Sequence, residues 1–279
     1  MKVFQCIGVV SALVVTTGAL AESVSLTSDR DNTMYVNVFD LSNGSGDHFF
    51  SGNNGSGDPR RALIRFDVAG VIPAGATIES VQLTLFMSRT FGGEFVSSLH
   101  RLTNDWGEST SDAPGNEGQG DLAEEGDATW DHTFFSATTP EFWDTDGGDF
   151  AATASAVIQI NDIAYYTWGS TNEMVADVQA WLDAPEDNFG WIIIGDEGGF
   201  GTTKRFDSRE NPDPMVRPQL LIEYSLSNPA DLNGDGFVNG ADLAELLANW
   251  GPCPECAADL NGDGDVNGAD LADLLANWT

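Results

Sequence analysis

Oxygen-bearing side chains stand on alternate residues at two places near the C-terminus, and the second place repeats the first 28 positions later (259 − 231). The first run is Asp231-Leu-Asn-Gly-Asp-Gly-Phe-Val-Asn-Gly-Ala-Asp242, and the second is Asp259-Leu-Asn-Gly-Asp-Gly-Asp-Val-Asn-Gly-Ala-Asp270. Alternate residues of a tight loop can all point inward, and a hard divalent cation takes about six to eight oxygens. In the first run Asp231, Asn233 and Asp235 fill loop positions 1, 3 and 5. Phe237 offers its backbone carbonyl at 7, Asn239 stands at 9 and Asp242 closes the loop at 12. The second run offers Asp259, Asn261, Asp263, the carbonyl of Asp265, Asn267 and Asp270 in the same order. Gly236 and Gly264 hold position 6, where the chain turns sharply and a β-carbon would obstruct it. The expectation is two calcium ions, one in each loop.

The elements that must position these oxygens are short. Pro229 and Pro254 stand where an entering helix would be, so each unit is a loop followed by one exiting helix. Leu243, Leu246, Leu247 and Trp250 fall at i, i+3, i+4 and i+7 of the first helix, and Leu271, Leu274, Leu275 and Trp278 repeat them. Two such apolar stripes are expected to pack face to face. A tandem of this kind resembles a type I dockerin domain, over residues 230–279. The resemblance implies calcium-dependent attachment to a protein partner, a cohesin-like one or another protein.

The N-terminus reads as a secretory signal over residues 1–21, with Lys2 as the positive start, Ile7 to Val15 as the apolar run and Ala19-Leu-Ala21 as a small-residue cleavage site. No other apolar run is long enough to span a membrane, so the mature chain is expected outside the cytoplasm, secreted or on the cell surface. Removing that segment removes Cys6 and leaves Cys253 and Cys256. In an oxidising compartment an isolated Cys-Pro-Glu-Cys favours a small structural disulfide over zinc, which would need a second pair. The formal charge is −33, and no Lys or Arg follows Arg217. That balance excludes nucleic acid as a partner.

Residues 22–225 have β-like composition and enough length for one sandwich with a full core, and 226–229 form a linker. Arg61 to Val68 alternates, with Ala62, Ile64, Phe66 and Val68 on one face. Val81, Leu83, Leu85 and Met87 share a face in the next strand, and Ser97 to Thr103 forms a further one. Two acidic excursions follow, Glu108 to Asp127 and Phe142 to Phe150, and either could hold a further calcium. Asn172 can cap a short helix running to Leu182. Trp191 to Ile194 is apolar on both faces and reads as a central strand, and Pro218 to Tyr224 is the last strand. The expected fold is mainly β, an antiparallel sandwich of jelly-roll type, followed by the small helical calcium-binding domain.

Several stretches of the sandwich together resemble the DNRLRE-type domain related to carbohydrate-binding module family 96. They are Arg61-Ala-Leu-Ile-Arg-Phe-Asp67, Pro73 to Ile78, Asp105-Trp-Gly-Glu108, Ala128-Thr-Trp130, Asp177 to Trp181, Asn188 to Trp191, and Phe206-Asp-Ser-Arg-Glu210 followed by Arg217-Pro-Gln-Leu. The resemblance spans about 24–224 and implies a secreted β-sandwich of a kind in which some members bind acidic polysaccharides such as alginate; the expected function is a secreted, non-catalytic polysaccharide-binding protein. Sugar sites pair aromatic faces with polar groups, and Trp106, Trp130, Trp143 and Trp168 lie in or beside the loops; the alternative for each is packing under the loops as a core or lid residue. An acidic sugar needs cations, which Arg61 and Arg65 on one strand and Lys204, Arg205 and Arg209 on another could supply. The alternative for these bases is an internal network that neutralises nearby acids. Two other functions stay open. One is a polysaccharide hydrolase or lyase with a catalytic sandwich, although acids are so abundant that any pair can be proposed. The other is a structural cell-surface protein with no glycan ligand.

Overall fold

The computed structural model describes residues 22–37 and 39–279, so the segment read as a secretory signal lies outside the described residues. The chain divides into two compact units, Ala21–Ser225 and Leu226–Thr279.

The first unit is built on an antiparallel sheet that curls over on itself. Its strands run in the order Glu22–Thr27, Gln219–Leu226, Ala76–Thr90, Lys204–Asp207, His48–Asn53, Pro59–Arg65, Trp191–Ile194, Phe95–Arg101 and Ala156–Ile160. Ala164–Trp168 pairs with Ala76–Thr90, and Arg30–Tyr35 pairs with Pro59–Arg65. The strand His48–Asn53 carries the sheet from one layer to the other. Its residues 48–51 pair with Lys204–Asp207, and Gly52 and Asn53 pair with Arg60 and Pro59. Gly52 makes the changeover possible. It has φ 96°, and a β-carbon there would sit 3.0 Å from the carbonyl oxygen of Thr202.

The alternation read from sequence sets the core. Ala62, Ile64, Phe66 and Val68 are fully buried, and so are Val81, Leu83, Leu85 and Met87. They meet Trp191, Ile193, Phe206, Leu220 and Ile222 between the two layers. Trp191–Ile194 is central, between Pro59–Arg65 and Phe95–Arg101. Its second apolar face is explained by a second cluster, in which Ile192 packs with Met34, Leu63, Leu102, Trp106 and Trp143 under the excursions. A strand covered on both sides has no solvent face on which to place polar residues.

One helix, Asn172–Asp183, closes the sandwich, burying Met174, Val178, Trp181 and Leu182. Its cap is Thr171 rather than Asn172, because the Thr171 hydroxyl accepts from the Met174 N–H at 3.0 Å. Trp181 meets Trp191 edge-on, with ring centroids 4.5 Å apart.

In the second unit the helices are Gly240–Ala248 and Gly268–Ala276. Its core repeats at the same offset as the sequence, with Ala230 and Ala258, Val238 and Val266, and Leu246 and Leu274 all buried together. The stripes split, however. Leu246 and Leu274 are buried and Leu243 and Leu271 pack against the cluster, but Leu247, Trp250, Leu275 and Trp278 are half exposed. The unit is too small for two helices to cover a four-residue stripe each, so the inner half of each stripe forms the core. Cys253 and Cys256 are joined by a disulfide, with Cα atoms 5.7 Å apart. Among the described residues no helix is long and apolar enough to cross a membrane.

Candidate functional site

The two loops of the tail are folded by their own acids. The Asp231 carboxylate accepts backbone N–H groups from Gly234 at 2.9 Å, Asp235 at 3.1 Å and Gly236 at 2.7 Å. Asn233 accepts from the Asp235 N–H and Asp235 accepts from the Phe237 N–H, so each predicted ligand also turns the chain toward the next. The second loop reproduces this around Asp259, Asn261 and Asp263. Gly236 and Gly264 adopt φ 87° and 92°, the left-handed region that position 6 demands.

Loop and helix are then locked together. Asn239 caps Gly240–Ala248 by accepting from the Ala241 N–H, while Asp242 reaches back to the Asn239 N–H at 2.8 Å. Asn267 and Asp270 do the same for Gly268–Ala276. The pattern Asn-x-x-Asp at the loop end is a capping box. It was legible in the sequence as a helix start, but the ligand reading alone did not assign it. Asp242 also accepts from the Asn233 N–H at 3.2 Å and is fully buried. Burial pushes its carboxyl up, yet the N–H donors of Asn239 and Asn233 outweigh that and hold it below the usual carboxylate range; Asp270 behaves alike.

The donor chemistry fits calcium. Side-chain and backbone oxygens occur at every predicted ligand position, and the unit has no Lys or Arg to neutralise its acids. Asp231, Asn233, Asp235, Phe237 and Asp242 would hold one ion, and Asp259, Asn261, Asp263, Asp265 and Asp270 the other. Asn239 and Asn267, engaged as caps, stand beside the position that a bridging water takes in loops of this spacing.

The halves also complete each other. After the first helix, Gly251 pairs with Val266 of the second loop. After the second helix, the Thr279 N–H donates to the Val238 carbonyl of the first loop at 3.0 Å. The two contacts correspond at the repeat offset (251 + 28 = 279; 238 + 28 = 266). This reciprocal exchange gives the tail a pseudo-two-fold arrangement.

Residues 229–276 match the dockerin type I domain. No curated protein matches the chain. Dockerin domains bind calcium and serve as attachment modules whose partner is a cohesin. The match covers the tail, and the reciprocal loops just described lie within it.

On the sandwich, most of the tryptophans and bases considered for a sugar site are turned inward, the alternative that the sequence left open. Trp106 and Trp168 are fully buried and Trp143 nearly so. Trp106 donates to the Phe189 carbonyl at 2.8 Å and Trp143 to that of Thr129 at 3.0 Å, so both serve as pillars beneath the excursions. Trp130 is half-buried, and the Arg61 guanidinium lies 4.7 Å from its ring centre. The expected cations are largely engaged inside the molecule. Arg61 forks onto Glu197 at 2.8 and 2.9 Å, and Arg65 pairs with Asp29. Lys204 is buried, donating to Thr90, Gly93 and Asn161. Arg209 forks onto Glu108 at 3.1 and 2.9 Å and also reaches Glu210. Burying so many acids near so few bases requires the bases as internal counter-ions. Arg205 differs, donating to the Ser88 hydroxyl at 3.1 Å.

The acids of the excursions act as internal caps. Asp127 accepts from the Ser109 and Glu124 N–H groups, and Asp149 from those of Asp144 and Thr145. Glu117 accepts from Asn43 and from the backbone and ring of His48. Three carboxylates converge where the first excursion begins, with Asp31, Glu108 and Glu210 placing oxygens within 4.8 Å of one another. Burial drives all three upward, Glu108 to about 7 in spite of Arg209.

Proposed function

We propose that the protein is a secreted polysaccharide-binding component whose sandwich is held in an extracellular or cell-surface assembly by its dockerin domain. The observation that carries the attachment half is the pair of reciprocal oxygen loops, each followed by a helix that leaves Leu247 and Trp250, or Leu275 and Trp278, half exposed. Exposed apolar side chains at corresponding positions of two related halves offer a partner the same surface twice. The surface lacks Lys and Arg, so the partner face should be apolar rather than acidic. A cohesin is the partner the domain implies.

The polysaccharide half rests on the β-rich body and on its resemblance to the DNRLRE-type domain. It is read as non-catalytic because Asp31 is buried and the part-buried Glu108 and Glu210 that converge with it are both tied to Arg209. Two measurements test the proposal. Surface plasmon resonance of the full chain on immobilised cohesins should show binding with calcium and none with chelator. Leu247→Ala with Trp250→Ala should leave binding through the second half, and adding Leu275→Ala with Trp278→Ala should abolish it. Affinity electrophoresis against neutral and acidic polysaccharides should show retardation, without release of reducing ends or unsaturated products. Retardation by no polymer, or measurable depolymerisation, rejects the sandwich reading.

A further inference from the structure

The two halves of the tail are nearly identical, but their approaches to the loops differ. Cys253 and Cys256 stand where the first half, 28 residues earlier, has Ser225 and Asn228. Both halves anchor the first residue of the loop in the same way. The Asp231 N–H donates to the Asn228 carbonyl at 2.9 Å, and the Asp259 N–H to the Cys256 carbonyl at 3.1 Å. Only the second of these two carbonyls belongs to a covalently held residue, because Cys256 is bonded to Cys253.

The other end of the bridge grips the same loop at its sharp turn. The Cys253 N–H donates to the carbonyl of Gly264, at position 6, with a length of 2.9 Å. Pro252 pairs with Asp265, whose own carbonyl is the ligand expected at position 7. Inside the loop, the Gly264 N–H donates to the Asp259 carboxylate at 2.7 Å. The bridge and the Asp259 carboxylate therefore link the same two positions, 1 and 6, one from outside and one from inside.

The turn that the bridge closes is one the chain disfavours. Glu255 has φ 68°, in the left-handed region that crowds a β-carbon. The Cys256 N–H reaches the Cys253 carbonyl at 3.3 Å, long for a bond that must hold a turn by itself. Pro254 and Glu255 are exposed and both cysteines are partly so, which leaves the bridge open to attack by a thiol.

We infer that the Cys253–Cys256 disulfide is a redox-sensitive brace on the second calcium loop, so that a dithiol lowers the calcium affinity of this loop more than that of the first. The inference rests on the calcium-loop reading of the tail and adds a control to one half of it, the half that presents Leu275 and Trp278. The reaction is thiol–disulfide exchange. One thiolate of the dithiol attacks a bridge sulfur and forms a mixed disulfide, which the second thiol of the reagent resolves. Two electrons and two protons pass to the protein, leaving two cysteine thiols and the cyclic disulfide of the reagent. Without the ring, Glu255 can leave the left-handed region and carry the Cys253 N–H and the Cys256 carbonyl away from the loop. Calcium must then order this turn as well as its own ligands, which weakens binding.

The test is a calcium titration of the full isotope-labelled chain by NMR, in which the amide signals of Gly236 and Gly264 report the two loops separately. It is run on the oxidised chain, on the chain in dithiothreitol, and on Cys253→Ser with Cys256→Ser, which needs no reductant. Closing so small a ring is worth about tenfold in an equilibrium constant, so the affinity read at Gly264 should fall about tenfold in the last two. The affinity read at Gly236 should fall less. Glu255→Gly, added to the serine variant, removes the disfavoured conformation and should recover part of the loss. A loss at Gly264 no larger than that at Gly236 overturns the brace, and so does a loss that Glu255→Gly fails to reduce. If neither glycine responds to calcium in the oxidised chain, the calcium reading itself fails and the brace falls with it.

Discussion

Glu108 shows how one residue's surroundings set its chemistry. Burial lifts its carboxyl from the ordinary 4.5 to about 7, although the Arg209 fork pulls the other way. Between these values the native state holds a proton that the unfolded chain has released, so stability falls as pH rises through that window. Asp31 and Glu210 are pushed up as well, while Glu117 is the lowered acid of the same unit. The sandwich should therefore melt at a higher temperature at pH 5.5 than at 7.5 by scanning calorimetry. Glu108→Gln, a neutral isostere, should flatten that slope. Spacing could place Glu108 beside other acids in the sequence, but only three-dimensional packing decided that it is buried under Arg209. The alternating oxygens of the tail are the opposite case, since a loop of alternating side chains is local and can be read without a fold.

At the scale of elements, periodicity transmits well and end effects less well. The strand Pro59–Arg65 and the faces of Ala76–Thr90 follow from alternation, because a sheet turns its side chains by a fixed period of two residues. The cap of Asn172–Asp183 shifted by one residue to Thr171, since both types can cap and the sandwich contacts select between them. Thr171→Ala should cost about 1 kcal/mol in urea unfolding of the sandwich. Trp181→Ala, which empties the space against Trp191, should cost about 3–5 kcal/mol by the same measurement. The apolar stripes of the tail helices were legible, but which half of each stripe faces inward was not. That depends on the crossing of two short helices, which no single-helix pattern encodes.

For the whole molecule, the two compact units should respond separately to metal. Chelation should remove the helical signal of 226–279 and leave the sandwich's unfolding transition in place, as read by circular dichroism and calorimetry. Because each loop is completed by residues that follow the other helix, damage to one loop should reach its twin. Asp259→Ala should weaken calcium binding at the first loop too, seen in titration calorimetry as one remaining site of lowered affinity. Independent loops would instead leave that site unchanged.

Sequence alone determined the spacing of the oxygen side chains in the loops, the interior faces of the main strands and the excess of acid, because each depends on neighbours along the chain. Tertiary structure decided which tryptophans reach solvent and which arginines keep an internal carboxylate. Those outcomes depend on strands brought together from distant parts of the chain. A side chain's exposure and its counter-ion are properties of what is folded over it.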